Sequence, residues 1–377
     1  MNANLRPTTS PPDAIPADVR CAQDYETLAP RHIDAPTLAY IAGGSGHGIT
    51  AAANAAAFAE LAIVPRLLRD VSAGHTRREI GDQAFEHPLL LAPVAHQKLV
   101  HAHAELASAR AAQATDSGIV CSTLSSRPLE EIARLAGPRC WFQLYFQPQR
   151  KATLDLLHRA ADAGFSAVVV TLDAAIQTAS RHALQAGFRL PADCIAANLQ
   201  CYETPQSPAL AEGDSRIFQG LMRDAPTWRD LDWLLAQSRL PVWIKGVLHA
   251  QDARDLQQGG VAGLVVSNHG GRGLDGAPAS LRALPAVRAA VGNSFPVLFD
   301  GGIRSGSDAF KALALGADAV LIGRLQLYAL AAAGALGVAH LIKLLREELE
   351  VCMALAGCAT LDEIGRDTLT PAALPLP

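Results

Sequence analysis

Along this chain, short and wholly apolar runs alternate with longer stretches in which apolar residues recur at helical spacing. The runs lie at residues 89–94, 118–122, 141–145, 167–172, 242–244, 263–267, 297–300 and 319–323. A strand buried on both faces reads as a continuous apolar run, so these predict parallel strands with helices packed outside them. Helical patterns at 102–116, 129–135, 154–163, 250–258 and 308–315 fall in the gaps. Eight such strands alternating with helices predict an α/β chain closed into a (β/α)8 TIM barrel, with an open doubly wound sheet as the competing layout.

Ahead of the first run, residues 24–33 and the Ala-rich stretch 51–62 predict an N-terminal helical segment, preceded by a Pro-rich arm over residues 1–20. One gap is anomalous. Roughly seventy residues separate the fourth strand from the fifth, and their middle, 193–214, is polar and aperiodic, which predicts a long loop after strand four. A well-patterned helix at 336–355 closes a barrel domain spanning 21–365, leaving 366–377 as a tail.

Composition narrows the class. Half of the 377 residues are hydrophobic and 18% charged, which excludes disorder as the main state. A formal net charge of −4 gives no bulk attraction for nucleic acid or an anionic membrane, so any bound anion must be held by a few placed residues. No uninterrupted apolar run reaches the roughly 18 residues of a membrane span and the start lacks a secretory apolar core, so a cytoplasmic protein is expected. The seven cysteines are scattered and never spaced CxxC, which argues against a disulfide framework and against a metal site.

The reactive face of a barrel lies at the carboxyl ends of its strands, and there the predicted strands turn polar. They end at Ser122, at Gln143 and Tyr145, at Thr171 and Asp173, at Lys245, at Ser267-Asn268-His269-Gly270-Gly271-Arg272, at Asp300-Gly301-Gly302-Ile303-Arg304, and at Gly323-Arg324. The Gly-Gly and Gly-Arg endings of strands seven and eight let backbone N–H groups approach an anion while Arg304 and Arg324 add charge-assisted hydrogen bonds. That predicts a phosphate site on a cofactor or substrate. His269 is the candidate general base, because imidazole titrates near neutral pH without special tuning. Asp173 is placed to orient it. Lys245, leaving an apolar strand, is placed to stabilise negative charge inside the mouth or to form a Schiff base.

The segment Ser267–Asp275, SNHGGRGLD, resembles the SNHG-x-RQLD signature of the FMN-dependent α-hydroxy-acid oxidases and dehydrogenases. AYIAGG (39–44), LAPVAHQKL (91–99), FQLYF (142–146), TLD (171–173), IKGV (244–247), DGGIRSGSDAFKALALGADAVLIGR (300–324) and MALAGC (353–358) agree with that family in order and spacing. The resemblance implies that FMN is the cofactor. Its ring would lie on the backbone of Pro93, Val94 and Ala95 and on Ser122, Gln143, Thr171 and Lys245. Its phosphate would lie on Gly302, Arg304, Gly323 and Arg324, with Ser267, Asp300 and Gly301 anchoring the ribityl chain and loop endings. Tyr40 and Arg272 would bind the substrate carboxylate, Tyr145 would meet its hydroxyl, and His269, paired with Asp173, would take a proton from either the α-carbon or the hydroxyl. The implied reaction converts a small-molecule 2-hydroxy acid to the 2-oxo acid. A homo-oligomer, tetrameric by resemblance, is implied as well.

Several positions depart from the family pattern. Ser180 stands at the position of the family's second carboxylate-binding arginine, and Arg181 is displaced from it by one residue. Leu124 stands where glycolate oxidase has a Trp over the substrate, Val94 replaces a hydroxyl residue and Gly273 replaces Gln. His96, His101 and His182 are possible polar additions at the mouth. These changes predict a substrate bulkier than lactate, or one whose polar group is read differently, with weak or no activity on glycolate or lactate. They also keep open two alternatives: an FMN-dependent tailoring enzyme acting on an amine or modified substrate, or an FMN-binding protein with vestigial catalysis.

Overall fold

In the computed structural model, which describes residues 14–177, 179–203 and 210–372, eight strands form a closed barrel with all neighbours parallel. They are β1 (Leu89–Leu91), β2 (Gly118–Ser122), β3 (Cys140–Leu144), β4 (Ala167–Thr171), β5 (Val242–Val247), β6 (Gly263–Val266), β7 (Val297–Asp300) and β8 (Ala319–Ile322). Each strand pairs with its neighbours in sequence, and β8 closes on β1. The expected TIM barrel is therefore the fold. Most of the arm and parts of the long loop and tail fall on residues 1–13, 178, 204–209 and 373–377, outside the described residues.

Two strands differ from expectation. The first is shorter than 89–94, because residues 92–94 leave the ladder to form the rim of the mouth. The fifth is longer than 242–244 and its register slips between Lys245 and Val247.

Side chains alternate across a strand, so every second residue enters the barrel. The lower interior is apolar: Leu90, Val120, Trp141, Val169, Trp243, Val265, Leu298 and Ala319 are buried together, plugged by Ile80 and Phe85 of the hairpin Arg78–Ile80/Gln83–Phe85. The Trp141 and Trp243 rings lie 4.8 Å apart. Gly263 makes that possible, since a Cβ there would stand 2.2 Å from the Trp243 ring. Two residues further along the same strands come Ser122, Gln143, Thr171, Lys245, Ser267 and Asp300. The strand period thus stacks a polar layer on an apolar one.

Three helices cap the mouth: α1 (Asp24–His32), α2 (Ala35–Ala42) and α3 (Ile49–Ala59). Helix α2 lies between the two stretches whose spacing is plainly helical, inside the N-terminal segment expected to be helical. It starts where the Asp34 side chain accepts from Thr37 N–H and a proline occupies its first turn. The final helix, Arg324–Ala356, is broken at Ala333 and Gly334 (φ 58°), and its second half matches the expected 336–355. By length and composition it could cross a membrane, but 78% of its apolar window is buried within the protein. Within the stretch read as a tail, Leu369–Pro371 pairs antiparallel with Leu61–Ile63 and ties that stretch to the segment just after α3. The long loop carries a short helix, Arg181–Gln185, and a longer one, Trp228–Gln237, the latter opened by a Thr227–Asp230 capping box.

Candidate active site

The polar layer lines one cavity at the barrel mouth. Its floor is Ser122, Gln143, Thr171, Lys245 and Asp300, its rim Pro93, Val94 and Ala95, and its far wall Gly301, Gly302, Arg304, Gly323 and Arg324. Tyr40, Leu124, Tyr145, His269 and Arg272 stand over the opening. Three of the predicted site residues do not line it. Asp173 lies behind His269, Ser267 lies beneath Lys245, and Arg181 is exposed at the start of its helix. Of the three extra histidines, only His96 reaches the wall.

Lys245 is buried with its ammonium 2.9 Å from Asp300 Oδ2, and it donates to Ser267 Oγ at 2.7 Å. Ser267 in turn donates to Asp300 Oδ2 at 2.6 Å and accepts from His269 N–H at 3.0 Å. Burial opposes the lysine's charge, yet Asp300 and then Asp173 outweigh it and hold its pKa above the ordinary value. Burial likewise pushes Asp300 up, but Lys245 and the Ser267 hydroxyl hold it below the ordinary carboxylate value. Both groups are therefore charged at neutral pH. Ser267, expected to anchor the ribityl chain and the loop endings, orders this pair and the start of the His269 turn.

His269 sits in the left-handed region at φ 59°, a conformation that costs a non-glycine residue on the order of 1 kcal/mol or more. The turn holds it there: Asn268 Oδ1 accepts from Gly271 N–H, and Asn268 exchanges two 2.8 Å amide hydrogen bonds with Asn54 of α3. His269 Nδ1 lies 2.8 Å from Asp173 Oδ1, which fixes the proton on Nδ1 and leaves Nε2 as the basic atom. That atom lies 3.5 Å from the Tyr145 hydroxyl. Burial, with the negative Asp173 nearby, pushes the Tyr145 phenol well above its ordinary value, so it is a donor at neutral pH. Gly246 makes the dyad possible. Its φ is 106°, and a Cβ there would stand 2.6 Å from the Asp173 side chain.

Arg304 and Arg324 lie on the far wall, and Arg272 over the opening is close enough to act on Arg324. Burial, and then Arg272 and Arg304, push Arg324 down to about 10, a sign of concentrated positive potential. Arg324 donates to Ile41 O and Gly43 O, and Arg304 is held bidentate by Glu26 of α1. Gly323 has open space where a Cβ would be, a cradle an anion can enter. At the other end, Gln143 Nε2 and Thr171 Oγ1 are buried without a hydrogen-bond partner among the described residues. A polar ring between them and an anion on the arginines is the ligand this cavity fits, and FMN has both.

These features define a flavin-binding barrel oxidoreductase with a histidine base. The chain matches the FMN-dependent dehydrogenase family over residues 29–371 and belongs to it. It is 66% identical to an L-lactate oxidase of Alicycliphilus denitrificans over 96% of this chain and 99% of that one. Identity to a 4-hydroxymandelate oxidase of Amycolatopsis orientalis is 43%, over 89% and 94%. A solved structure of mandelate oxidase with (S)-2-phenylpropionate superposes with a TM-score of 0.83 at 40% identity, covering 93% of this chain and 97% of that one. The protein is accordingly an FMN-dependent 2-hydroxy-acid oxidoreductase, which sets aside both alternatives, the tailoring enzyme and the vestigial binder.

Sequence reasoning missed Asn54, Glu26 and Gln177, of which Gln177 lines the mouth. The first two lie on cap helices far from the strand endings. No local signal marks them, since their partners lie more than two hundred residues away.

Proposed function

We propose that the protein oxidises L-2-hydroxy acids with aliphatic side chains, L-lactate among them, passing the electrons to dioxygen, and that it does so in the cytoplasm as a homo-oligomer. The observation that carries the reading is the His269–Asp173 dyad with Nε2 turned toward Tyr145 inside the mouth. The high identity to an L-lactate oxidase supports lactate as a substrate in place of the weak or absent turnover expected from Ser180. Leu99 and Leu124, apolar on the wall, support side chains longer than methyl. His96 adds a neutral imidazole there, since burial pushes its pKa down.

The substrate carboxylate would meet Arg272, whose Nη1 already donates to Tyr40 O and Gly43 O, leaving its remaining N–H groups for a ligand. The Tyr145 hydroxyl would orient the substrate oxygen. His269 Nε2 accepts a proton and Asp173 stabilises the imidazolium that results. FMN, when bound, supplies the two-electron acceptor. Gln143 and Thr171 would satisfy its ring edge, Lys245 would meet negative charge on that edge, and Arg304, Arg324, Gly302 and Gly323 would hold its phosphate.

Anaerobic mixing of the FMN-loaded protein with L-lactate, L-2-hydroxybutyrate and longer L-2-hydroxy acids tests this. Flavin bleaching by these acids, and hydrogen peroxide when air is admitted, are expected. A flavin left oxidised by every member of the series overturns the substrate class, and bleaching without peroxide in air overturns the acceptor.

A further inference from the structure

At Ser180 the chain has converted a position that could reach the substrate into a helix cap. The Ser180 hydroxyl accepts from Ala183 N–H, Arg181 N–H donates to Gly46 O, and the Arg181 side chain is exposed. Arg272 is then the charged group left to hold a carboxylate at that end of the mouth, and its orientation carries more of the binding.

That orientation rests on a stack. The Arg272 guanidinium carbon lies 4.7 Å over the centre of the Tyr40 ring. The Tyr40 ring is itself stacked on Phe188, with ring centroids 4.2 Å apart and planes 9° from parallel. Phe188 lies just beyond the end of the short helix of the long loop, separated from it by Ala186 and Gly187, and its N–H donates to Ala183 O. Beside the stack is a second cavity, lined by Gly44, Ser180 and Leu184, which shares Tyr40, Gln177 and Arg272 with the first. Phe188 lines that cavity as well, and its stacked ring is one of the contacts that fix the Tyr40 plane.

We propose that Phe188 is a positioning residue for the carboxylate site, locking Tyr40 as the platform on which Arg272 is oriented and thereby offsetting the guanidinium absent at Ser180. Cation–π and aromatic stacking need the ring held in one plane, and a ring deprived of its stacking partner loses much of that restriction. The same contact makes the clamp depend on the long loop being folded.

This inference rests on the carboxylate binding at Arg272, and the test separates the two. Pyruvate, as a non-reacting carboxylate, is titrated into the FMN-loaded protein and followed by the flavin absorbance, with KM and kcat for L-lactate measured alongside. Phe188→Leu and Phe188→Met keep apolar bulk and remove the ring face. Either is expected to weaken pyruvate binding and raise KM by about tenfold, the equivalent of ~1.4 kcal/mol, with kcat changed by less than about twofold, as for loss of uniform binding. Phe188→Tyr is expected to restore both. In an Arg272→Lys background, Phe188→Leu is expected to have no further effect on pyruvate. If Arg272→Lys leaves pyruvate binding unchanged, the site assignment itself fails. If Arg272→Lys weakens it and the Phe188 variants do not, or if they lower kcat with KM intact, Phe188 has no positioning role. Loss of bound FMN in both apolar variants would make it a folding residue and overturn the proposal equally.

Discussion

The two ends of the mouth are held by different physics. At the flavin-ring end, Lys245, Ser267 and Asp300 come from adjacent strands at one level of the barrel and form a buried, closed ionic network. At the carboxylate end, Tyr40, Arg272 and Phe188 come from a cap helix, a turn and a long loop, and they meet through stacked faces and backbone carbonyls. Strand register fixes positions to a fraction of an ångström, whereas loops packed by ring contacts can shift together. In the function proposed above, the rigid end would hold the resident cofactor and the adjustable end a substrate that must enter and leave.

Three changes would break this contrast, and a fourth would sharpen it. His269→Ala removes the base at the junction of the two ends and is expected to lower the rate of anaerobic flavin reduction by about 10²- to 10⁴-fold, with FMN retained. Reduction at the parental rate would remove His269 from the mechanism.

Lys245→Met strikes the ionic end by stranding a buried carboxylate, a change expected to cost about 3–5 kcal/mol of unfolding free energy in the FMN-free protein. Its pH signature has a definite sign. In the parent, the raised Lys245 pKa contributes stability that is fully present below about 10.4 and is lost as pH rises through the folded value. The lowered Asp300 pKa contributes stability present above about 3.9 and lost as pH falls through its folded value. With the lysine gone, burial raises Asp300, so stability is expected to fall as pH rises from about 4, where the parent's holds. Urea melts across that range distinguish the two.

Gly246→Ala tests the dyad from behind. A Cβ at φ 106° and 2.6 Å from Asp173 must displace that side chain, and a shift near 1 Å is expected to lower kcat by up to about 10²-fold. Unchanged kcat with FMN bound would show that Asp173 tolerates displacement. The smallest effect is reserved for Arg181→Ala. An exposed arginine that lines neither cavity is expected to leave KM and kcat within about twofold of the parent. A KM rise of tenfold would mean that Arg181 swings in to replace the arginine absent at Ser180.

The ionic end was legible in the sequence and the stacked end only in part. Lys245, Ser267 and Asp300 each close an apolar run, and period-2 alternation puts them on the same face as Trp243, Val265 and Leu298. His269 and Arg272 were readable from SNHGGR. Phe188 was not, because it follows a five-residue helix inside the long gap after strand four, and its partner Tyr40 lies on a cap helix well over a hundred residues earlier in the chain. The one-residue offset of Arg181 was visible, but its consequence depended on whether Ser180 would cap a helix.

Sequence alone determined the barrel and the FMN requirement, and it marked His269 as candidate base and the Gly-rich strand ends as candidate phosphate loops, because runs buried on both faces and Gly-rich strand ends admit few other arrangements. Tertiary structure decided that Ser267 orders the lysine and aspartate, that Glu26 holds Arg304, that Arg181 is exposed, and that Arg272 rests on Tyr40 and Phe188. Those are contacts between residues far apart in the chain. Local periodicity carries no information about them, and only closure of the barrel and docking of its cap bring them within bonding distance.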